Sequence, residues 1–100
     1  MKQKPSDELR VRLATFNASL NRAESGRLIE DLKTGDNQQA RNVAKIIQIV
    51  APDVLVLQEF DFDSDGHALK LFTEKYLAVA QGEEHPIKYP HTLVVPSNTG

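Results

Sequence analysis

Apolar residues recur along the chain with two different periods. From Leu9 to Asn17 they alternate. Leu9, Val11, Leu13 and Thr15 share one side, and Arg10, Arg12, Ala14 and Phe16 share the other. A period of two predicts a strand. The two arginines put its second side in water early and under cover only at Phe16. Residues 18–37 are mixed and polar, but Leu28, Ile29 and Leu32 predict a short helix ending near Gly35. A break at 35–38 follows, with Asp36 or Asn37 as N-cap chemistry for the next element. From Gln38 to Val50 the spacing changes. Ala40, Val43, Ala44, Ile47 and Val50 form the stripe of an amphipathic helix, with Arg41, Asn42, Lys45 and Gln48 on its wet side and Pro52 behind its end.

Val54–Leu57 is an unbroken apolar run. Without alternation it predicts a strand buried on both faces, as in a parallel sheet with covered sides. Strand, helix and strand in this order form a βαβ unit with parallel strands. A second helix is expected from Ser64 or Asp65 to about Ala80, with Leu69, Phe72, Tyr76 and Val79 on one face. Gly82 and Pro86 break the chain. Thr92–Val95 predicts a short strand stopped by Pro96, and residues 97–100 are turn chemistry. Residues 1–8, with Pro5 and two adjacent acids, read as a flexible lead-in. The class is therefore α/β, with a βαβ start, a following helix and a strand over residues 9–100.

Composition narrows what such a chain can do. In 100 residues, 40% are hydrophobic and 26% charged, the balance of a chain that folds. Lys and Arg total 12 against 14 Asp and Glu, a net charge of −2, and no basic run stands out. A general electrostatic grip on nucleic acid is not supported by that charge. With no cysteine, thiol nucleophiles, disulfides and Cys-ligated zinc are excluded. No apolar run approaches the ~20 residues of a membrane span, and Met1–Glu8 lacks the apolar core of a secretory signal. The compartment is not legible.

The βαβ reading singles out two residues. Asn17 falls just past the first strand and Glu59 just past the second. Both then sit at the carboxyl edge of one parallel sheet, where open α/β folds bind ligands. Glu59 offers the hard oxygen that suits Mg2+ or Mn2+. Asn17 offers a neutral amide, able to hold an ion or to donate to a phosphate oxygen. A second candidate is the acidic loop Asp61-Phe62-Asp63-Ser64-Asp65-Gly66, which opens like a Ca2+ loop. An EF-hand needs Glu at its twelfth position, where this chain has Phe72, so a loop capping the following helix is the simpler reading. His67, His85 and His91 have no metal-ligand spacing. Asn17-Ala18-Ser19 also matches the glycosylation sequon.

Leu9–Asn17, ending in Phe16-Asn17, followed by Pro52-Asp53-Val54-Leu55-Val56-Leu57-Gln58-Glu59-Phe60, resembles the start of the endonuclease/exonuclease/phosphatase superfamily. Arg41-Asn42-Val43-Ala44-Lys45-Ile46-Ile47 matches its intervening helix, and Tyr89-Pro90 with residues 96–100 resembles a bacterial branch. The resemblance covers most of residues 9–100. It implies a four-layered α/β sandwich with two central sheets and a divalent-metal-dependent hydrolase of phosphodiesters or phosphomonoesters, nucleases and phosphodiesterases among them. The Glu matching Glu59 binds Mg2+ or Mn2+, and the Asn matching Asn17 lies beside it, orienting the metal shell or the phosphate. The family's Asp-x-Asn and Ser-Asp-His elements are not in this sequence. The resemblance therefore implies an amino-terminal portion with an incomplete site, inactive alone. Apolar faces left without a second sheet favour self-association. The alternative is a non-catalytic α/β module that binds Ca2+ at 61–66.

Overall fold

A computed structural model describes residues 11–61, 63 and 65–89. It is a small α/β fold: a two-stranded parallel sheet and three helices. Strand β1 (Leu13–Leu20) leads to helix α1 (Arg27–Lys33) and helix α2 (Gln38–Val50). Strand β2 (Val54–Phe60) follows, then helix α3 (His67–Phe72), which runs on as a π-helical turn over Thr73–Leu77. β1 and β2 pair in parallel, with Leu13 opposite Val54, Thr15 opposite Val56 and Asn17 opposite Gln58. The expected βαβ unit is thus present. The expected lead-in at 1–8, Leu9, Arg10 and the Thr92–Val95 strand lie outside the described residues.

Helix α2 has the bounds that its periodicity predicts. The Asn37 side chain caps it by accepting from the Ala40 N–H at 2.9 Å. Its C-terminus closes on Ala51 in the left-handed region, and Arg12 Nη1 donates to the Val50 carbonyl at 2.7 Å. Ala40, Val43, Ala44 and Ile47 face the core as expected. Two positions differ. Val50, at the last position of the helix, is exposed. Gln48, expected in water, is buried. Its amide donates to the carbonyls of Leu77 and Val79 and accepts from the Gln81 N–H. These bonds satisfy the backbone where the π-helical turn breaks off, so a polar side chain is needed inside.

The strands also depart from expectation. β1 begins at Leu13 and continues to Leu20, so Asn17 lies within it, and Glu59 lies within β2. The side of β1 that starts in water at Arg12 comes under cover further on, as the arginines predict, with Ala14 and Phe16 half-buried and Ala18 and Leu20 buried, whereas Val11 and Leu13 on the other side are exposed. β2 is not buried on both faces. Leu55 and Leu57 are half-buried, whereas Val54 and Val56 are each 45% exposed and Leu13, opposite Val54, is 65% exposed. All the described helices pack on one side of the pair, and an apolar run cannot report that its other side is open.

The core lies between that covered side and the helices: Leu20 and Phe60 from the strands, Leu28 and Leu32 from α1, Val43 and Ile47 from α2, and Phe72, Tyr76 and Leu77 beyond. Phe60 meets Phe72 edge-on at 5.7 Å between centroids, and Phe72 stacks on Tyr76 at 6.0 Å. The second helix starts at His67, later than expected, and leaves α geometry at Thr73. The π-helical turn alters the rotation per residue, so Leu77 takes the inside place and Val79 stays exposed.

Tyr76 ties three helical segments together. Its hydroxyl accepts from the Asn37 N–H at 3.1 Å and donates to the Leu32 carbonyl at 3.2 Å, holding the α1–α2 connection against the π-helical turn. Replacing Tyr76 with Phe keeps the ring but strands a part-buried N–H and a buried carbonyl. The expected loss is about 1–3 kcal/mol of stability, read as a lowered urea midpoint with unchanged slope.

Candidate site at the carboxyl edge of the strand pair

The ladder is irregular where the candidate residues sit. Asn17 pairs with Gln58 and Leu20 with Phe60, so Ala18 and Ser19 together stand against Glu59. This is a bulge: β1 has one residue more than β2. Both strands enter the left-handed region there, at Ser19 (φ 51°) and at Glu59 (φ 54°). Neither residue is glycine, so each conformation carries a backbone cost of about 1–3 kcal/mol. The turn at Glu59 breaks the in-out alternation of β2. Gln58 and Glu59 are both exposed and Phe60 alone turns inward. The carboxylate is thereby delivered to the open side of the sheet, beside Asn17.

The two side chains meet. Asn17 Nδ2 donates to Glu59 Oε2 at 2.5 Å, across 42 residues of sequence. Asn17 Oδ1 accepts from both the N–H and the hydroxyl of Ser19, at 3.0 and 3.1 Å. Chemistry fixes this orientation of the amide. An ionised carboxylate can only accept and a backbone N–H can only donate, so a flipped amide would fail at both ends. In this arrangement the Asn17 oxygen is engaged by Ser19 and the nitrogen holds Glu59. Glu59 Oε1 takes no hydrogen bond from the described residues.

A polar network continues from this pair. Gln39 Nε2 donates to the Ser19 carbonyl at 2.5 Å, and Gln39 Oε1 accepts from Arg22 Nη2 at 3.0 Å. Arg22 Nε donates to Asp31 at 2.8 Å, and the Arg22 backbone N–H donates to Asp61 Oδ2 at 2.6 Å. The guanidinium of Arg22, with that of Arg27 beyond it, holds the Asp31 carboxyl below its ordinary value of 3.8 in spite of some desolvation. Ser19, Gln39 and Arg22 are not singled out by the sequence reading. One signal for Ser19 was present: the Asn-x-Ser spacing of the sequon is also that of a side chain folding back on the backbone two residues on.

The acidic loop is otherwise engaged. Both Asp63 oxygens accept backbone N–H groups at the start of α3, from His67 at 3.0 Å and Ala68 at 2.8 Å. The Asp61 carboxylate takes the Arg22 N–H. Among the described residues, no group of three or more His, Asp or Glu is placed to hold a metal ion. His67 opens α3, and His91 lies outside the described residues. No helix among the described residues is long and apolar enough to cross a membrane.

No protein-family model matches this chain, and comparison with curated proteins and with solved structures finds no match to either.

Asp63 gives the edge a pH signature. Its desolvation raises its pKa, but the two backbone N–H groups outweigh that, and its carboxyl lies below the ordinary 3.8. A carboxyl depressed on folding stabilises the fold above its unfolded pKa, and loses that effect as pH falls through the folded value. Asp63→Ala is therefore expected to cost about 1 kcal/mol at neutral pH. Urea midpoints of wild type and variant should draw together only once the pH drops below 3.8.

Proposed function

We propose that the chain carries the metal-binding edge of a divalent-metal-dependent phosphoesterase, of the kind its sequence resembles. The observation that carries this reading is the hydrogen bond between Asn17 and Glu59, made at the carboxyl edge of a parallel strand pair on a backbone bent to present both side chains. Strained non-glycine residues persist where the surroundings over-determine them, and they cluster at functional sites. Here one is Glu59, which the resemblance selects, and the other is Ser19, which holds the side chain of Asn17, the second residue it selects.

The donor set fits Mg2+ or Mn2+. Such an ion favours hard oxygens, keeps several waters, and takes one or two protein carboxylates with a substrate phosphate supplying the rest. Glu59 would hold it. Asn17 would hold Glu59, fixing which carboxylate oxygen faces outward. The bound ion supplies Lewis-acid stabilisation of charge on a phosphoryl oxygen. The groups that activate water belong, by the same resemblance, to elements this sequence does not contain, so the chain alone is expected not to turn over. The substrate class is a phosphate ester. The net charge of −2 gives no ground for a preference for nucleic acid.

The open side of the sheet supports the larger architecture the resemblance implies. Leu13 and Val54 form an exposed apolar cross-strand pair, with Val56 next along β2. A second sheet packed there, with helices on its own outer face, would complete a four-layered sandwich and place the Asn17–Glu59 edge at its rim. Without such a cover, the same surface favours self-association of the chain.

Metal titration followed by NMR tests the site. Mn2+ should broaden, and Mg2+ should shift, the signals of Asn17 and Glu59, and both effects should disappear in Glu59→Gln while surviving in Asp63→Ala. The opposite pattern, with Ca2+ binding lost in Asp63→Ala and kept in Glu59→Gln, would establish the acidic loop as a Ca2+ site and overturn the phosphoesterase reading.

A further inference from the structure

We propose that Gln39 is a positioning residue for the Asn17–Glu59 pair, acting through the β1 bulge and braced by Arg22. Its bearing on metal binding rests on the reading above; its bearing on Asn17 does not.

Asn17 is exposed, and its side chain is held by Glu59 at one end and by Ser19 at the other. Ser19 offers both its N–H and its hydroxyl to one oxygen, and its backbone is left-handed. Serine does not favour that conformation, so something outside the bulge must hold it. Gln39 does, through the bond from Nε2 to the Ser19 carbonyl, made across 20 residues. Gln39 is itself set by two fixed neighbours. It lies in the first turn of α2, which Asn37 caps and Tyr76 anchors. Its Oε1 takes a guanidinium hydrogen from Arg22. The carbonyl of Ser19 only accepts and the guanidinium only donates, so Gln39 fits in one orientation alone.

The bonds close into a ring. Glu59 leads through Phe60 to Asp61, whose side chain accepts from Arg22. Arg22 donates to Gln39, Gln39 to Ser19, Ser19 to Asn17, and Asn17 to Glu59. Gln39 is the member of the ring that belongs to α2, so it alone refers the site to that helix. Supporting shells of this sort fix the orientation of metal-binding carboxylates.

The test uses the metal-free, 15N-labelled 100-residue chain and two variants. Gln39→Met keeps the length and loses both bonds. Gln39→Glu keeps an acceptor for Arg22 and loses the donor to Ser19. Hydrogen exchange of the Asn17 side-chain amide is expected to accelerate about fivefold in both, the factor that one ordinary hydrogen bond commands. Backbone signals of α2 and α3 should stay in place, and Mn2+ affinity should fall in step. Exchange at the wild-type rate in a folded variant overturns the proposal. If Gln39→Met does not fold, Gln39→Glu decides. Unfolding of both also overturns it, because an exposed side chain that only positions the bulge cannot hold up the fold. Absence of Mn2+ binding in every chain, wild type included, sinks the phosphoesterase reading and leaves the exchange result standing.

Discussion

Parallel pairing of β1 with β2 is the constraint on which the rest depends. Parallel neighbours cannot be joined by a tight turn, so the chain must leave the sheet, cross it and return. Here α1 and α2 make that crossing. Their apolar sides, with those of α3 and the π-helical turn, then need cover, and Ala18, Leu20 and Phe60 supply it from the strands. The same return path brings the ends of two strands side by side, so that residues 42 apart in sequence share a hydrogen bond. An antiparallel hairpin would put the end of one strand beside the start of the other, and would part them.

The elements that a local pattern specifies were legible. Helix α2 was readable to its bounds because its stripe, its cap and the following Pro52 agree, and the strand-helix-strand order followed from two changes of period. The arginines mark where cover begins on β1, but the open face of β2 is not legible. Val54 and Val56 look the same in sequence whether a layer lies over them or not, and only the placement of the helices shows them open. The polarity of Gln48 predicts a wet position, although its amide is the group that closes the backbone bonds of Leu77 and Val79. The π-helical turn has no composition of its own, so an α-helical period places Val79 inside.

The candidate site divides in the same way. Asn17 and Glu59 stand out by position, each at the carboxyl end of a strand pattern and so at one sheet edge. Their contact depends on a bulge that no periodicity announces. A bulge adds one residue to one strand and changes no side chain, and the residues that stabilise it, Gln39 and Arg22, come from other parts of the chain. Sequence spacing finds groups that do chemistry more easily than the groups that aim them.

The bulge also explains why an amide, and not a second acid, belongs at position 17. Within a ladder of period two, Glu59 would face the helices beside Leu55 and Leu57, where an unpaired carboxylate is costly. The left-handed turn at Glu59 moves it to the open side, at hydrogen-bonding distance from Asn17. An aspartate at position 17 would set two negative charges at that distance, and its oxygens would compete for the same cation or repel each other in its absence. An amide donates to Glu59 with its nitrogen and takes Ser19 with its oxygen, so one neutral side chain steadies the carboxylate and the bulge that presents it. The strain at Ser19 and Glu59 and the choice of Asn17 thus answer one requirement: an exposed carboxylate held in a fixed direction without a second charge beside it.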